Sequence, residues 1–266
     1  MMKSYKRSFE YLLSGVAAIA LSASAAAAGQ YDTNYFNVGV EGFYDVYNEP
    51  GPAVDVDTYY GSLTGKWVHN WSSYFTAVDL RYSIGRDNYS SPSGSYSGAT
   101  EDETDDRIRV GMNLGAFSPY IGAGVRYFVD NGKGQVTDLG AQGYDRRITQ
   151  LYVPLGVSYT HTMDNGWTIT PNIEYDQLAY GNVNTRLGTI PGLFNISNTQ
   201  TSGYGIRGEF MVGWKTANSK TELQCGPFIR YWNISTSNTT IDPAGNGWIE
   251  PANNRTQYGL ALRVLW

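Results

Sequence analysis

From Phe36 to the end of the chain, apolar residues recur at every second position in ten separate stretches. The first holds Phe36, Val38, Val40, Tyr44 and Val46; the last holds Tyr258, Leu260, Leu262, Val264 and Trp266. Between them lie residues 59–67, 74–84, 108–114, 121–129, 151–159, 167–175, 204–214 and 223–231. A period of two is the spacing at which a strand shows alternate side chains to opposite surroundings, so the pattern predicts ten strands. None of the ten apolar faces carries a charge. The opposite faces carry Glu41, Asp45, Lys66, Asp79, Arg81, Arg107, Arg109, Arg126, Glu174, Asp176, Arg207, Glu209, Glu222, Arg230 and Arg263.

Periodicity alone does not say which face is inside. A soluble lipocalin-like barrel would hide the apolar face and show the charges to water. A membrane barrel does the reverse, because Lys or Arg facing the bilayer centre costs about 2–4 kcal/mol. The strand ends favour the membrane. Short connections at 70–73, 116–118, 162–166 and 216–219 alternate with long ones at 48–57, 86–104, 130–146, 180–202 and 235–254. Trp67, Trp71, Trp167, Trp214 and Trp266 collect at the short-turn end, and Tyr44, Tyr82, Tyr127, Tyr175, Tyr204 and Tyr231 at the other. Two such belts match the two interfaces of a bilayer, where an amphipathic ring is half in lipid and half in water. The reading is therefore an all-β, up-and-down antiparallel transmembrane β-barrel of about ten strands. Pro119, Pro154, Pro171 and Pro227 lie in or beside strands, which predicts bulges or strand ends there and leaves eight or twelve strands as alternatives.

Composition agrees: 266 residues, 14% aromatic and 16% charged, with 22 Tyr, 31 Gly and one Cys. Lys3, Lys6 and Arg7, an apolar run over residues 12–21 and Ala26-Ala27-Ala28 make a secretory signal peptide over residues 1–28, ahead of one barrel domain at 29–266. The apolar run is about half of the roughly twenty residues a helical anchor needs. Removing three bases and Glu10 from totals of 19 and 24 leaves 16 basic against 23 acidic residues, which excludes a general affinity for nucleic acid. Cys225 has no partner for an intramolecular disulfide.

The export signal, dyad strands, alternating loops, aromatic belts and terminal Trp266 together resemble the superfamily of Gram-negative outer-membrane β-barrel proteins. The stretches from Pro119 to Tyr127 and from Tyr152 to Gly156 resemble ones that recur in small porin-like members. The resemblance implies a multi-pass barrel in the outer membrane with periplasmic termini, surrounded by outer-membrane lipids and lipopolysaccharide. It also implies a C-terminal assembly signal in Tyr258, Leu260, Leu262, Val264 and Trp266, read by the β-barrel assembly machinery as the last strand closes against the first.

The chemistry expected of such a barrel is limited. Barrel hydrolases such as the omptin proteases use His beside a carboxylate near the outer rim, where a base reaches water or a nucleophile. The only histidines, His69 and His161, fall beside short turns, so no catalytic residue is assigned. No cofactor is expected. The acidic run Glu101, Asp102, Glu103, Asp105 and Asp106 offers hard oxygen ligands and is the one metal candidate, most simply read as a solvated loop. The seven acids and eight bases of the inner faces are nearly balanced, which predicts mutual pairing in a narrow lumen only slightly wider than the eight-stranded kind that side chains fill. The expected function is a porin-like barrel with a narrow or plugged polar lumen, passing at most small ions or solutes and serving envelope structure. The alternative is a surface adhesin or ligand-binding barrel acting through its long loops, whose Ser, Asn, Gly and Tyr suit polar and aromatic contacts.

Overall fold

The computed structural model describes residues 34–51, 53–215 and 221–266. The signal peptide read at residues 1–28 and the turn at 216–219 lie outside the described residues. The strands in chain order are β1 (Asn34–Glu49), β2 (Val54–Trp71), β3 (Tyr74–Ser91), β4 (Gly94–Met112), β5 (Phe117–Asn131), β6 (Asp145–Tyr159), β7 (His161–Thr162), β8 (Trp167–Arg186), β9 (Ile196–Gln200), β10 (Gly203–Lys215), β11 (Glu222–Ile234), β12 (Thr240–Ile241), β13 (Gly247–Trp248) and β14 (Asn253–Leu265). Ten of them, β1–β6, β8, β10, β11 and β14, pair antiparallel with their neighbours, and β14 pairs with β1 to close the barrel. Closure satisfies every strand edge, which is what permits β-structure in a lipid environment. Both ends of the described chain lie at the short-turn rim, where Phe36 and Trp266 exchange backbone hydrogen bonds of 2.9 and 3.1 Å.

The polarity of the barrel is inverted relative to a soluble protein. Leu260 on the outer face is 67% exposed, whereas Glu103, Asp45 and Asp176 on the inner face are 0% exposed. Strand β2 carries Tyr59 and Trp67 on the outer face, β8 Trp167 and Tyr175, and β14 Tyr258 and Trp266. Each such pair is eight residues apart, and at about 3.4 Å per residue and a tilt of about 40° this spans about 21 Å, close to the apolar band of outer-membrane barrels. The belts are built from contacts: Tyr44 packs on Tyr59 and Tyr258, Tyr204 on Tyr175 and Tyr231, and Trp266 on Phe36.

Two expectations about connections are corrected. Residues 48–57 are not a long loop, because β1 and β2 stay paired to Glu49 and Val54 and are joined by residues 50–53, with Ala53 at φ 55°. Residues 86–104 are not a loop either: β3 and β4 run on to Ser91 and Gly94, where Gly94 at φ 103° lets the chain reverse. The extension lacks an apolar face, so hydrophobic periodicity missed it, but its side chains still alternate between the two sides. The other long connections carry structure of their own. In one, β9 folds back on the upper part of β8; in another, β12 and β13 form a small hairpin.

The prolines also act differently from the expectation. Across from Pro154 the β5–β6 pairing is interrupted between Ile121↔Leu155 and Gly124↔Tyr152, and across from Pro227 the β10–β11 pairing between Glu209↔Phe228 and Val212↔Cys225, with register kept in both. Pro171 falls in the similar gap that separates β6 from β7 along β8. A missing N–H therefore removes local ladder bonds without inserting a residue. Register does shift elsewhere, between Arg86 and Asn88 and between Leu151 and Tyr152.

Candidate functional site: the barrel lumen

All fifteen charged residues read as inward lie on the inner face of the barrel, and fourteen of them take part in ion pairs. Strand geometry explains the placement, since each sits one residue out of phase with an exposed apolar neighbour. They form layers along the barrel axis. Nearest the long loops, Arg255 reaches Glu101 at 3.0 Å and Asp45 at 3.5 Å, and Glu101 also accepts hydrogen bonds from Thr58 and Tyr60.

At mid-height three arginines meet three carboxylates. Arg81 pairs with Glu103 at 2.8 Å and Asp105 at 3.1 Å, Arg126 with Glu103 at 3.2 Å, and Arg207 with Asp105 and Asp176 at 2.6 Å each. Aromatic rings fill the rest of the cross-section. Trp232 lies 4.5 Å from the Arg126 guanidinium and 5.2 Å from the Tyr152 ring, and the Tyr152 hydroxyl donates to Asp105. Arg126, Tyr152 and Trp232 are each no more than 2% exposed. Glycine makes room for these rings: a Cβ on Gly124 would stand 2.2 Å from Tyr152, and one on Gly205 2.7 Å from Trp232. Buried charges are tolerable only when paired and hydrogen-bonded in this way.

Toward the short turns, Arg109 grips Asp79 through two 2.7 Å bonds, and Arg107 crosses to Glu174 at 2.6 Å. Arg230 donates to both oxygens of Glu41, and Arg263 pairs with Glu209. Glu222 accepts from Thr168 and pairs with Lys215 near the rim. Lys66 alone of the fifteen makes no ion pair among the described residues; it stands 5.8 Å from the Tyr35 ring.

The acidic run was read as a solvated loop and a weak metal candidate, and the strand geometry overturns that. Glu101, Glu103 and Asp105 point inward and are buried, while Asp102 and Asp106 point outward, so the five carboxylates do not converge. Among the described residues no group of three or more His, Cys, Asp or Glu is arranged to hold a metal ion. Sequence reading also missed Arg146, Arg255, Gln150, Gln257, Tyr152 and Trp232 as interior groups. Their signal was the polar half of the dyad, as in Arg255-x-Gln257, continuing beyond the apolar stretch. The predicted assembly residues Tyr258, Leu260, Leu262 and Val264 on β14, and Trp266 just after it, all lie on the outer face and are 38–67% exposed. His69 and His161 are on the outer face near the short-turn rim, His69 between Trp67 and Trp71 with a ring nitrogen 2.7 Å from Asn34, and His161 beside Tyr159.

No protein-family model matches the chain, and no curated protein matches it. Solved structures do. The outer membrane protease OmpT from Escherichia coli is similar with a TM-score of 0.56 at 10% identity, over 92% of this chain and 99% of that one. The translocator domain of the autotransporter NalP from Neisseria meningitidis gives 0.47 at 11% identity, over 99% and 97%. The outer membrane protein OprG from Pseudomonas aeruginosa gives 0.40 at 10% identity, over 88% and 97%. At such identities the likeness speaks for the fold alone. The chain thus folds as a closed, ten-stranded antiparallel β-barrel, the fold it shares with the outer membrane protease.

Proposed function

We propose that the protein is an integral outer-membrane barrel whose lumen is blocked at mid-height, a structural component of the envelope that passes at most small ions. The carrying observation is the layer of Arg81, Glu103, Asp105, Arg126, Tyr152, Asp176, Arg207 and Trp232, each no more than 6% exposed. A lumen of ten strands is narrow enough for such side chains to fill. The apolar outer face and its two aromatic belts support insertion in a bilayer, with the short turns and termini periplasmic and the long connections outside. A non-catalytic role is supported by the two histidines, which lie on the outer face at the short-turn rim, away from the lumen carboxylates.

Planar-bilayer recording tests the reading. The wild-type barrel is expected to conduct far less than an open porin, and Trp232→Ala, which removes the largest ring of the block, to raise the conductance. Large wild-type currents that Trp232→Ala leaves unchanged would overturn it.

A further inference from the structure

We propose that the short-turn half of the lumen is a binding cup for a small oxyanion, centred on Lys66. A cavity of about 400 Å³ runs from the mid-height block, at Arg81, Asp105 and Arg207, to the short-turn rim at Lys215 and Trp266. This is within the usual volume of small-molecule sites. Its charges are spoken for with one exception. Arg109 is satisfied by Asp79, Arg107 by Glu174, Arg263 by Glu209 and Lys215 by Glu222. The Lys66 ammonium has no carboxylate within ion-pair distance among the described residues, so it brings a net positive charge into the cup.

Two further residues with unspent donors line the same cavity. Arg230 is 8% exposed and spends Nη2 on both oxygens of Glu41, leaving its buried Nη1 without a hydrogen-bond partner among the described residues. Thr64, on the same face of β2 as Lys66, has a buried hydroxyl without a hydrogen-bond partner among the described residues. Lys66, Thr64, Arg230 and Arg263 all line this cavity, and Arg263 is held by Glu209. The remaining wall is rich in hydroxyl and amide groups, among them Ser158, Thr160, Thr170 and Asn172. An ammonium, an unspent guanidinium N–H and a wall of hydroxyls are the donors that a phosphate- or carboxylate-type anion needs, through charge-assisted hydrogen bonds. Being blocked at mid-height, the cup exchanges its ligand through the short-turn mouth.

The proposal rests on the blocked-lumen reading for its floor, and its test uses no bilayer, so a conducting barrel and a non-binding cup give separate results. The mature, refolded barrel in an uncharged detergent is titrated calorimetrically with inorganic phosphate at constant ionic strength, with choline chloride as the control. Saturable binding at one site is expected, weakened about tenfold by Lys66→Met, the equivalent of about 1.4 kcal/mol, and restored by Lys66→Arg. Removing an unpaired buried charge leaves the fold intact, which the heat-dependent shift of the barrel on gels verifies. Absence of saturable heat, or binding that Lys66→Met leaves unchanged, overturns the proposal.

Discussion

Replacing Glu103 by Gln measures how dry the middle of the barrel is. Glu103 is 0% exposed and accepts hydrogen bonds from Arg81 at 2.8 and 3.2 Å, from Arg126 at 3.2 and 3.4 Å and from Gln257 at 2.9 Å. Its two arginines are not equally placed. Arg81 keeps Asp105 at 3.1 Å, but Arg126, 1% exposed, has no second carboxylate within ion-pair distance among the described residues and keeps only Gln150 and the rings of Phe128 and Trp232. In a sealed interior, removing one partner of a buried pair costs about 3–5 kcal/mol, because the other charge stays buried. In a water-filled channel the same pair would behave as an exposed one, worth up to about 1 kcal/mol. Reversible urea unfolding in lipid vesicles, followed by tryptophan fluorescence at unchanged m value, separates the two. The expected loss for Glu103→Gln is about 3 kcal/mol or more. The double variant with Arg126→Met should recover most of it, since removing both charges leaves neither stranded. A loss under about 1 kcal/mol without coupling to Arg126 would refute the blocked lumen.

Deleting Trp266 removes both backbone hydrogen bonds to Phe36 and the stacked ring pair at 6.3 Å, so assembly in cells should fall sharply, whereas Arg263→Ala should insert normally; equal yields of folded barrel for Trp266 deletion and wild type would contradict this. Gly124→Ala should destabilise the barrel by about 1–3 kcal/mol, because its Cβ meets the buried Tyr152 ring at 2.2 Å, whereas Gly61→Ala, with nothing within 4 Å, should be neutral in the same urea assay. In the β12–β13 connection, the Trp248 indole N–H and the Asn246 side chain donate to the Asp242 carboxylate and hold its pKa down to about 2. A lowered folded-state pKa means the hairpin gains full support above the ordinary carboxylate value and loses it as pH falls through about 2. The Trp248 indole resonance should therefore hold its position down to about pH 3 and shift with a midpoint near 2, and Asp242→Asn should remove that titration; a midpoint at the ordinary value of 3.8 would contradict the geometry.

The transmembrane part of the fold was legible because lipid imposes a rule on every second residue. Tyr258, Leu260, Leu262 and Val264 could be placed outside, and Arg263 inside, once the aromatic belts and the alternating connections had shown which face meets lipid. Above the bilayer that rule lapses. Residues 86–91 and 94–104 are strand, yet Ser, Asn and Gly there face water on one side and polar neighbours on the other, so no apolar signal marks them. The acids show the same effect: Glu101, Glu103 and Asp105 keep the period of two that Arg107 and Arg109 continue, but a charge period is easily taken for a solvated run. Which acid meets which base was beyond reach, since Arg107 finds Glu174 across the barrel, 67 residues away. The aromatic block was hidden for a similar reason, because Tyr152 and Trp232 lie on the polar half of their strands and are packed only in three dimensions.

Several contacts that answer the lumen carboxylates span the seam between the first and last strands. Arg230 reaches Glu41 over 189 residues, Gln257 reaches Asp45 over 212, and Arg255 reaches Glu101 over 154. Until β14 docks on β1, Glu41 and Asp45 lack these partners on what will become the inner face. Contacts this distant in sequence form last, after the entropy of closing the intervening chain has been met. A growing sheet is therefore a poor resident of lipid, with one face apolar and the other bearing charge that nothing yet answers. Zipping the final strand ends the open edge and the uncompensated charge in one step, so insertion should proceed as an all-or-none event with no stable half-barrel along the way.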